Sequence, residues 1–403
     1  MKVEGKAMCL KPEDVERMDS AQTAVNEAAF DQNWIVYGPA GTGKTILALN
    51  RLQRLSKLRP DDDHVFLSKS KMLSRWVEQA AIGLGENNKI QSFDQYVWHK
   101  VKSYIGCKPI TLSPTATWSE ISWSETTPLI ADAFKQKPNM KKFSVIVDEG
   151  QDISAGFFEA CKIMCSRVFI LMDENQKTKF WADTARAEAA RMLNVDQRHQ
   201  RYLGINYRNP KVIKELSETF YDGDVNELAS DPPVEFQKNL EADPSIRYMS
   251  LDDETKKIDQ VRRIIGFCSD RPQSTVCVVA PSPSDVPRVI KHLQDSALAT
   301  NRFDKNIWKV RGYIPKRGQR CTTDFCSPGI VIANALNLKG SEFDAVYLVD
   351  WHRSEDPAPA MYTLIARARA RIEIFADPTE ESKLKMRHKF EKALSAGLIK
   401  EMQ

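Results

Sequence analysis

The sequence contains no apolar run approaching the roughly 20 residues that a membrane-spanning helix needs. Its first twenty residues, MKVEGKAMCLKPEDVERMDS, alternate charge with apolar side chains and lack the hydrophobic segment of a signal peptide. The expectation is a soluble, cytoplasmic chain with no membrane partner. Histidine is scarce, six in 403 residues, and none stands in a metal-ligand pattern. The eight cysteines are scattered at 9, 107, 161, 165, 268, 277, 321 and 326. Cys161 and Cys165 read as the apolar face of a helix in FFEACKIMCSRVF, and Cys321 and Cys326 have no histidine or second cysteine pair nearby. This argues against a zinc or iron–sulfur site and for reduced, mostly buried thiols. A strong charge bias is also missing. A net charge of +4 does not by itself imply nucleic acid, so such a case must rest on local clusters. No internal repeat and no low-complexity tract is present.

What is present is a globular composition, 42% hydrophobic and 28% charged, in a chain too long for a single ordinary core. WIVYG (34–38) is a β-rich apolar run, followed by the glycine loop PAGTGKT and the amphipathic helical pattern ILALNRLQRLSKL. HVFLS (64–68), KFSVIVD (142–148) and SRVFILMD (166–173) read as further buried strands. A second series starts with the helical DDETKKIDQVRRIIGFC and continues through TVCVVAPS (275–282), GIVIANAL (329–336), FDAVYLVDW (343–351) and ARIEIFAD (370–377). Strands alternating with helices predict an α/β fold of two parallel-sheet domains with small insertions. The first takes residues 1–94 and 142–204, the second 205–403. Residues 95–141, with Trp98, Trp118 and Trp123, read as a small inserted subdomain, 222–247 as a loop excursion, and about 300–328 as a short basic insert.

GPAGTGKT (38–45) satisfies G-x-x-x-x-G-K-[ST] between a strand and a helix. Gly38, Gly41, Thr42 and Gly43 would turn backbone N–H groups around phosphate oxygens, with the helix N-terminus adding its dipole. Lys44 would reach the β- and γ-phosphates of ATP, and Thr45 would hold Mg²⁺. About 100 residues on, VIVDEGQDIS (145–154) ends an apolar strand with two carboxylates. Asp148 would hold the Mg²⁺ from the other side and Glu149 would orient and deprotonate the attacking water.

Five more stretches stand in order around this pair: DSAQTAV (19–25), MDENQ (172–176), INYRNP (205–210), ALNLKGSEFDAVYLVD (335–350) and YTLIARARARIEI (362–374). Together the set resembles the superfamily 1 helicases of the UvrD/Rep type, especially compact relatives without large accessory domains. The resemblance runs from residue 19 to 375 and implies two RecA-like domains. It implies that Gln22 reads adenine, that Gln176 lies near the γ-phosphate, and that Tyr207 packs on adenine. It further implies that Glu342 helps bind nucleotide, and that Arg208 and Arg367 reach the γ-phosphate from the second domain. The sequence departs from the family at Met172, Asn334, Leu336 and Ala366, positions that lie where the family couples nucleotide to the strand.

Single-strand binders pair basic grooves with aromatic platforms. The resemblance puts a base-stacking aromatic at Trp181, with an ordinary core tryptophan as the alternative, and a weaker match puts another at Phe93, with a packing role equally open. Lys69 and Lys71 fall near an expected strand contact. Residues 302–320 hold seven Lys or Arg, among them Lys309 and Arg311, against one acidic residue, with Trp308 and Tyr313 interleaved. A nucleic-acid contact and a solvated hairpin or protein-partner surface are equally open there. The expected activity is ATP-driven movement on single-stranded or partly duplex DNA, with RNA left open and a 3′-to-5′ lean. The alternative is an ATP-gated DNA-binding or regulatory subunit working with a protein partner such as a nuclease.

Overall fold

The computed structural model describes residues 18–81, 86, 89–113, 120–173, 176, 184–221, 228–231, 242–248, 254–299, 309–315, 319, 321–349, 357–376 and 381–401. The chain divides into two compact units that meet in sequence between Gly204 and Ile205. Each is built on its own parallel sheet, so the architecture is α/β throughout, consistent with two RecA-like domains.

In the first unit the strands are β1 (Trp34–Tyr37), β2 (Asp63–Ser68), β3 (Ile90–Ser92), β4 (Phe143–Asp148), β5 (Cys165–Met172) and β6 (Gln200–Tyr202), ordered β3-β2-β4-β5-β1-β6. Every residue of β4 is buried. Covered on both faces, a parallel strand needs a continuous apolar run, and FSVIV supplies one. Register pairs Ser68 with Asp148 and Tyr37 with Met172, so the polar residues after these strands gather at one edge of the sheet. The helices are α1 (Ser20–Asn26), α2 (Lys44–Leu58), α3 (Lys71–Ala80), α4 (Phe93–Ile105), α5 (Trp123–Gln136), α6 (Ala155–Met164) and α7 (Arg186–Leu193).

Two expectations change here. Among the described residues, the stretch 95–141 shows no core of its own: Val97, Val101 and Tyr104 of α4, and Trp123 and Ile130 of α5, share one apolar cluster with β4, β5 and α6. Their apolar stripes fit the sheet face and are buried there. Trp118 lies outside the described residues. Cys165 opens β5 instead of continuing the helix of Cys161. Burial, and then contact with Cys165, push the Cys161 thiol well above its ordinary range.

The second unit comprises α8 (Lys211–Thr219), β7 (Asp243–Tyr248), α9 (Glu254–Asp270), β8 (Thr275–Ala280), α10 (Val286–Ala299), β9 (Val310–Gly312), β10 (Gly329–Asn334), β11 (Phe343–Leu348), α11 (Pro357–Ile365), β12 (Ala368–Ala376), α12 (Glu381–Ser395) and β13 (Lys400–Glu401). The sheet order is β13-β7-β12-β11-β8-β10-β9. The region read as a loop up to 247 thus ends in an internal strand, β7, paired with β12 and β13. Pro244 hid it, because proline is rare in strands except near their starts, and it is the second residue of β7. The basic insert contributes β9, the edge strand beside β10.

Phe157 lies edge-on to both Phe93 and Trp123 and is fully buried, so it ties α4, α5 and α6 together. Phe157→Ala is expected to lower stability by about 3–5 kcal/mol in urea denaturation. Hydrogen exchange should then rise in α4 and α5 together with β4. Retained protection in α4 and α5 alone would mean that they form a separate folding unit.

Candidate nucleotide site

The glycine loop is shaped by its neighbours. Gly38 has φ 152°, and a Cβ there would lie 2.0 Å from the Leu203 carbonyl oxygen, so only glycine fits between β1 and the chain leaving β6. Gly43 has φ 83°, and a Cβ there would meet the Gln22 amide at 2.8 Å. Gln22 itself closes a capping box with Asp19 at the start of α1 and donates from Nε2 to the Thr42 carbonyl at 3.0 Å. It therefore braces the loop from below. Lys44, only 9% exposed, donates from Nζ to the Gly38 and Pro39 carbonyls at 2.6 and 2.8 Å, and lies 3.7 Å from Asp173 Oδ2.

The carboxylates form a connected set. Thr45 Oγ1 donates to Asp148 Oδ2 at 2.8 Å, and the Glu149 backbone N–H donates to Asp148 Oδ1 at 3.0 Å. Glu149 sits in the left-handed region, φ 56° and ψ 47°. Gln151 is fully buried; its Nε2 donates to Glu149 Oε2 at 2.6 Å, while its Oε1 accepts from the Asp173 N–H at 3.0 Å. Gln176 Nε2 then donates to Asp173 Oδ2 at 2.8 Å. The other amide atom, Gln176 Oε1, is buried and has no hydrogen-bond partner among the described residues. An acceptor left unmade in this way is costly, and it marks where a further polar group fits.

These residues suit a magnesium-bound nucleotide. Thr45 and Asp148 offer adjacent hard oxygens of the kind Mg²⁺ takes, and the glycine loop leads into the N-terminus of α2. Among the described residues, no cluster of three His, Cys, Asp or Glu side chains could hold a metal. No helix is long and apolar enough to cross a membrane.

In the second unit, the Asn206 side chain accepts from the backbone N–H groups of Arg208 and Asn209 at 2.9 and 3.1 Å. Asn209 Nδ2 donates to the Ala366 and Ala368 carbonyls at 3.1 and 2.8 Å, pinning the loop that carries Arg367. Arg208 Nε is 2.6 Å from Glu342 Oε2. Arg367 is 2% exposed and donates to the Thr363 and Ser341 carbonyls at 2.9 and 3.2 Å. Tyr207 beside them is half-buried. The structure thus gathers Arg208, Glu342 and Arg367 around one turn, with both guanidinium groups engaged within their own unit.

The nominated strand contacts fare differently. Phe93 is 6% exposed and packs on Phe157 with ring centroids 4.7 Å apart, so the packing role holds for it. Lys69 is ion-paired with Asp94 at 2.8 Å and Glu120 at 3.5 Å. Arg311 donates to the Ser327 and Pro328 carbonyls and pairs with Asp324 at 3.2 Å, and Tyr313 is buried against Phe325. Their local polar and apolar partners had no signature in the basic run. Lys309 stays exposed, while Trp181 and Trp308 lie outside the described residues. Sequence reasoning gave no role to the linking amide of Gln151 or the loop-pinning amide of Asn209. Both stand inside the quoted motifs, one residue or two from a nominated side chain, and only the fold shows what they join.

Burial, and next the neighbouring Glu149 charge, push the Asp148 carboxyl up to about 7. Since an unfolded aspartate titrates near about 3.9, folding takes up a proton between these values. The stabilisation this gives is full below about pH 4 and is lost as pH rises through about 7. The ligand-free protein should therefore lose thermal stability from pH 5 to 8 more steeply than Asp148→Asn. Identical slopes in the two proteins would contradict the assignment.

A family model described as AAA domain matches residues 21–181, which hold the glycine loop, both carboxylates and Gln176. No curated protein matches the chain. The matched segment and the geometry around Lys44 and Asp148 agree: residues 21–181 form a P-loop nucleotide hydrolase domain.

Proposed function

We propose that the chain is an ATP-dependent motor of the superfamily 1 helicase type, hydrolysing ATP to move on single-stranded DNA. One observation carries this reading: the buried chain of hydrogen bonds Glu149–Gln151–Asp173–Gln176. It joins Glu149, the residue positioned to activate water, to Asp173 at the end of β5 and to Gln176. A shift of Gln176 at the phosphates would thus be transmitted to the water-activating carboxylate, the coupling a nucleotide-driven motor needs.

Within this reading each group has one task. Lys44 neutralises charge on the β- and γ-phosphates, which its present contacts with loop carbonyls hold ready. Glu149 accepts the proton of the attacking water, and Gln176 presents its amide to the γ-phosphoryl group. Mg²⁺, held by Thr45 and Asp148, would supply charge neutralisation at the phosphates. Arg208 and Arg367 are the arginines the resemblance assigns to the γ-phosphate, Gln22 and Tyr207 to adenine, and Glu342 to nucleotide binding. The resemblance implies movement from 3′ to 5′.

A second reading has its own support. Phe93, Arg311, Tyr313 and Lys69 are all committed to partners within the protein, which thins the set of strand contacts available to an autonomous motor. An ATP-gated subunit that binds DNA or regulates a partner such as a nuclease needs fewer of them.

Steady-state ATP hydrolysis with and without single-stranded DNA separates the two. The motor reading expects several-fold stimulation by DNA. It also expects losses of about 10²-fold or more in Lys44→Ala and Glu149→Gln. Wild-type hydrolysis indifferent to DNA and RNA would sink the motor and favour the gated subunit.

A further inference from the structure

The second unit holds a cavity of about 220 Å³ between α9 and α10, walled by Ile264, Val278, Leu293 and Val349. Two independent observations mark it as a ligand site. The first is its place in the sheet. β8 leads through α10 towards β9 and β10, whereas its neighbour β11 leads through α11 to β12 on the other side. Adjacent parallel strands whose connections diverge form the switch point at which open α/β sheets bind ligands. Val278 lies in β8, and Val349, just past β11, donates its N–H to the Val279 carbonyl at 3.3 Å.

The second observation is Gln260. This α9 side chain is 8% exposed and lines the cavity, yet its amide makes no hydrogen bond among the described residues. With no protein partner among the described residues, its donor and acceptor are open to a molecule in the cavity.

The chemistry of the lining narrows the ligand. A primary amide offers a donor and an acceptor side by side, the pair that matches the N6/N7 edge of adenine. A cavity of about 150 Å³ accepts benzene, so this one admits a fused bicyclic ring, with aliphatic walls for the ring faces. It is smaller than the roughly 300 Å³ at which pockets for larger ligands begin. At the rim Arg288 is 3.2 Å from Asp285, and His292 follows one turn along α10. The Asp285 carboxylate disfavours a phosphate at that point, so recognition falls on the base.

We propose that this cavity is a purine-base site, read by Gln260, that takes its base from a free nucleoside or from an unstacked base of a strand. The proposal is independent of the motor reading, since it requires neither ATP hydrolysis nor Lys44.

Calorimetric titration of the full chain tests it, with adenosine, guanosine, an oligodeoxyadenylate and an abasic oligomer as probes. The expected result is binding of a nucleoside equally by wild type and Lys44→Ala. Affinity should fall at least tenfold in Gln260→Leu and in the cavity-filling Val278→Phe. Gln260→Leu should melt near the wild-type temperature, because leucine keeps the shape and removes no hydrogen bond among the described residues; this shows that any loss of binding is not unfolding. Binding of the oligodeoxyadenylate alone, lost in Gln260→Leu and absent with the abasic oligomer, assigns the base to a strand. The proposal is overturned if no probe binds and the cavity holds only water. It is equally overturned if Gln260→Leu binds as wild type does, or if Lys44→Ala abolishes nucleoside binding and so places the ligand at the glycine loop.

Discussion

The nucleotide site hangs on one buried amide. Gln151 joins the carboxylate of Glu149 to the backbone of Asp173, bridging the ends of β4 and β5. Its backbone carbonyl also accepts from Thr184 N–H at 3.1 Å, so the start of the α7 region is tied to the same residue. Glu149 occupies a left-handed conformation that costs a non-glycine residue about 1–3 kcal/mol. That cost is tolerable because the surroundings over-determine it. The Glu149 N–H is held by Asp148, its carbonyl accepts from Asp152, and its side chain is held by Gln151. A water-activating carboxylate fixed in this way needs little reorganisation when charge develops next to it.

The two units use the same device at different places. In the first, a side-chain amide links two strand ends; in the second, Asn209 links the segment after Gly204 to the loop bearing Arg367. Both amides convert backbone groups that would otherwise be orphaned into fixed points for neighbouring charged side chains. Lys44 and Arg367 share a further property: each long cation is nearly buried and donates to main-chain carbonyls. A cation whose hydrogen bonds go to main-chain carbonyls can transfer them to an anionic oxygen, where a charge-assisted bond is roughly twice as strong.

Much of this was legible in the sequence for a physical reason. Buried parallel strands demand apolar runs, and WIVY, VIV, VFILM, VCVVA, GIVIA and AVYLV are such runs, each ending where a loop carries polar residues. The glycine loop was readable because its spacing has one mechanical use. Short edge strands were not readable: β6 is QRY and β13 is KE, polar segments that become strands only because a neighbour offers free backbone groups. β7 was masked by Pro244, and Phe93 and Tyr313 looked like platforms because burial of an aromatic ring depends on partners far off in sequence, Phe157 for one. Gln260 gave no signal at all, since an amide in a helical pattern reads as surface until the cavity beside it is seen.

The account rests on Gln151 positioning Glu149, and single-turnover hydrolysis by Gln151→Leu beside equilibrium nucleotide binding tests it most directly. Leucine fills the same space and removes both hydrogen bonds. The predicted result is a hydrolysis rate at least tenfold below wild type with nucleotide affinity nearly unchanged. That is the pattern of an interaction that matters in the transition state and not in the ground state. Hydrolysis at the wild-type rate in a correctly folded Gln151→Leu protein would contradict the account.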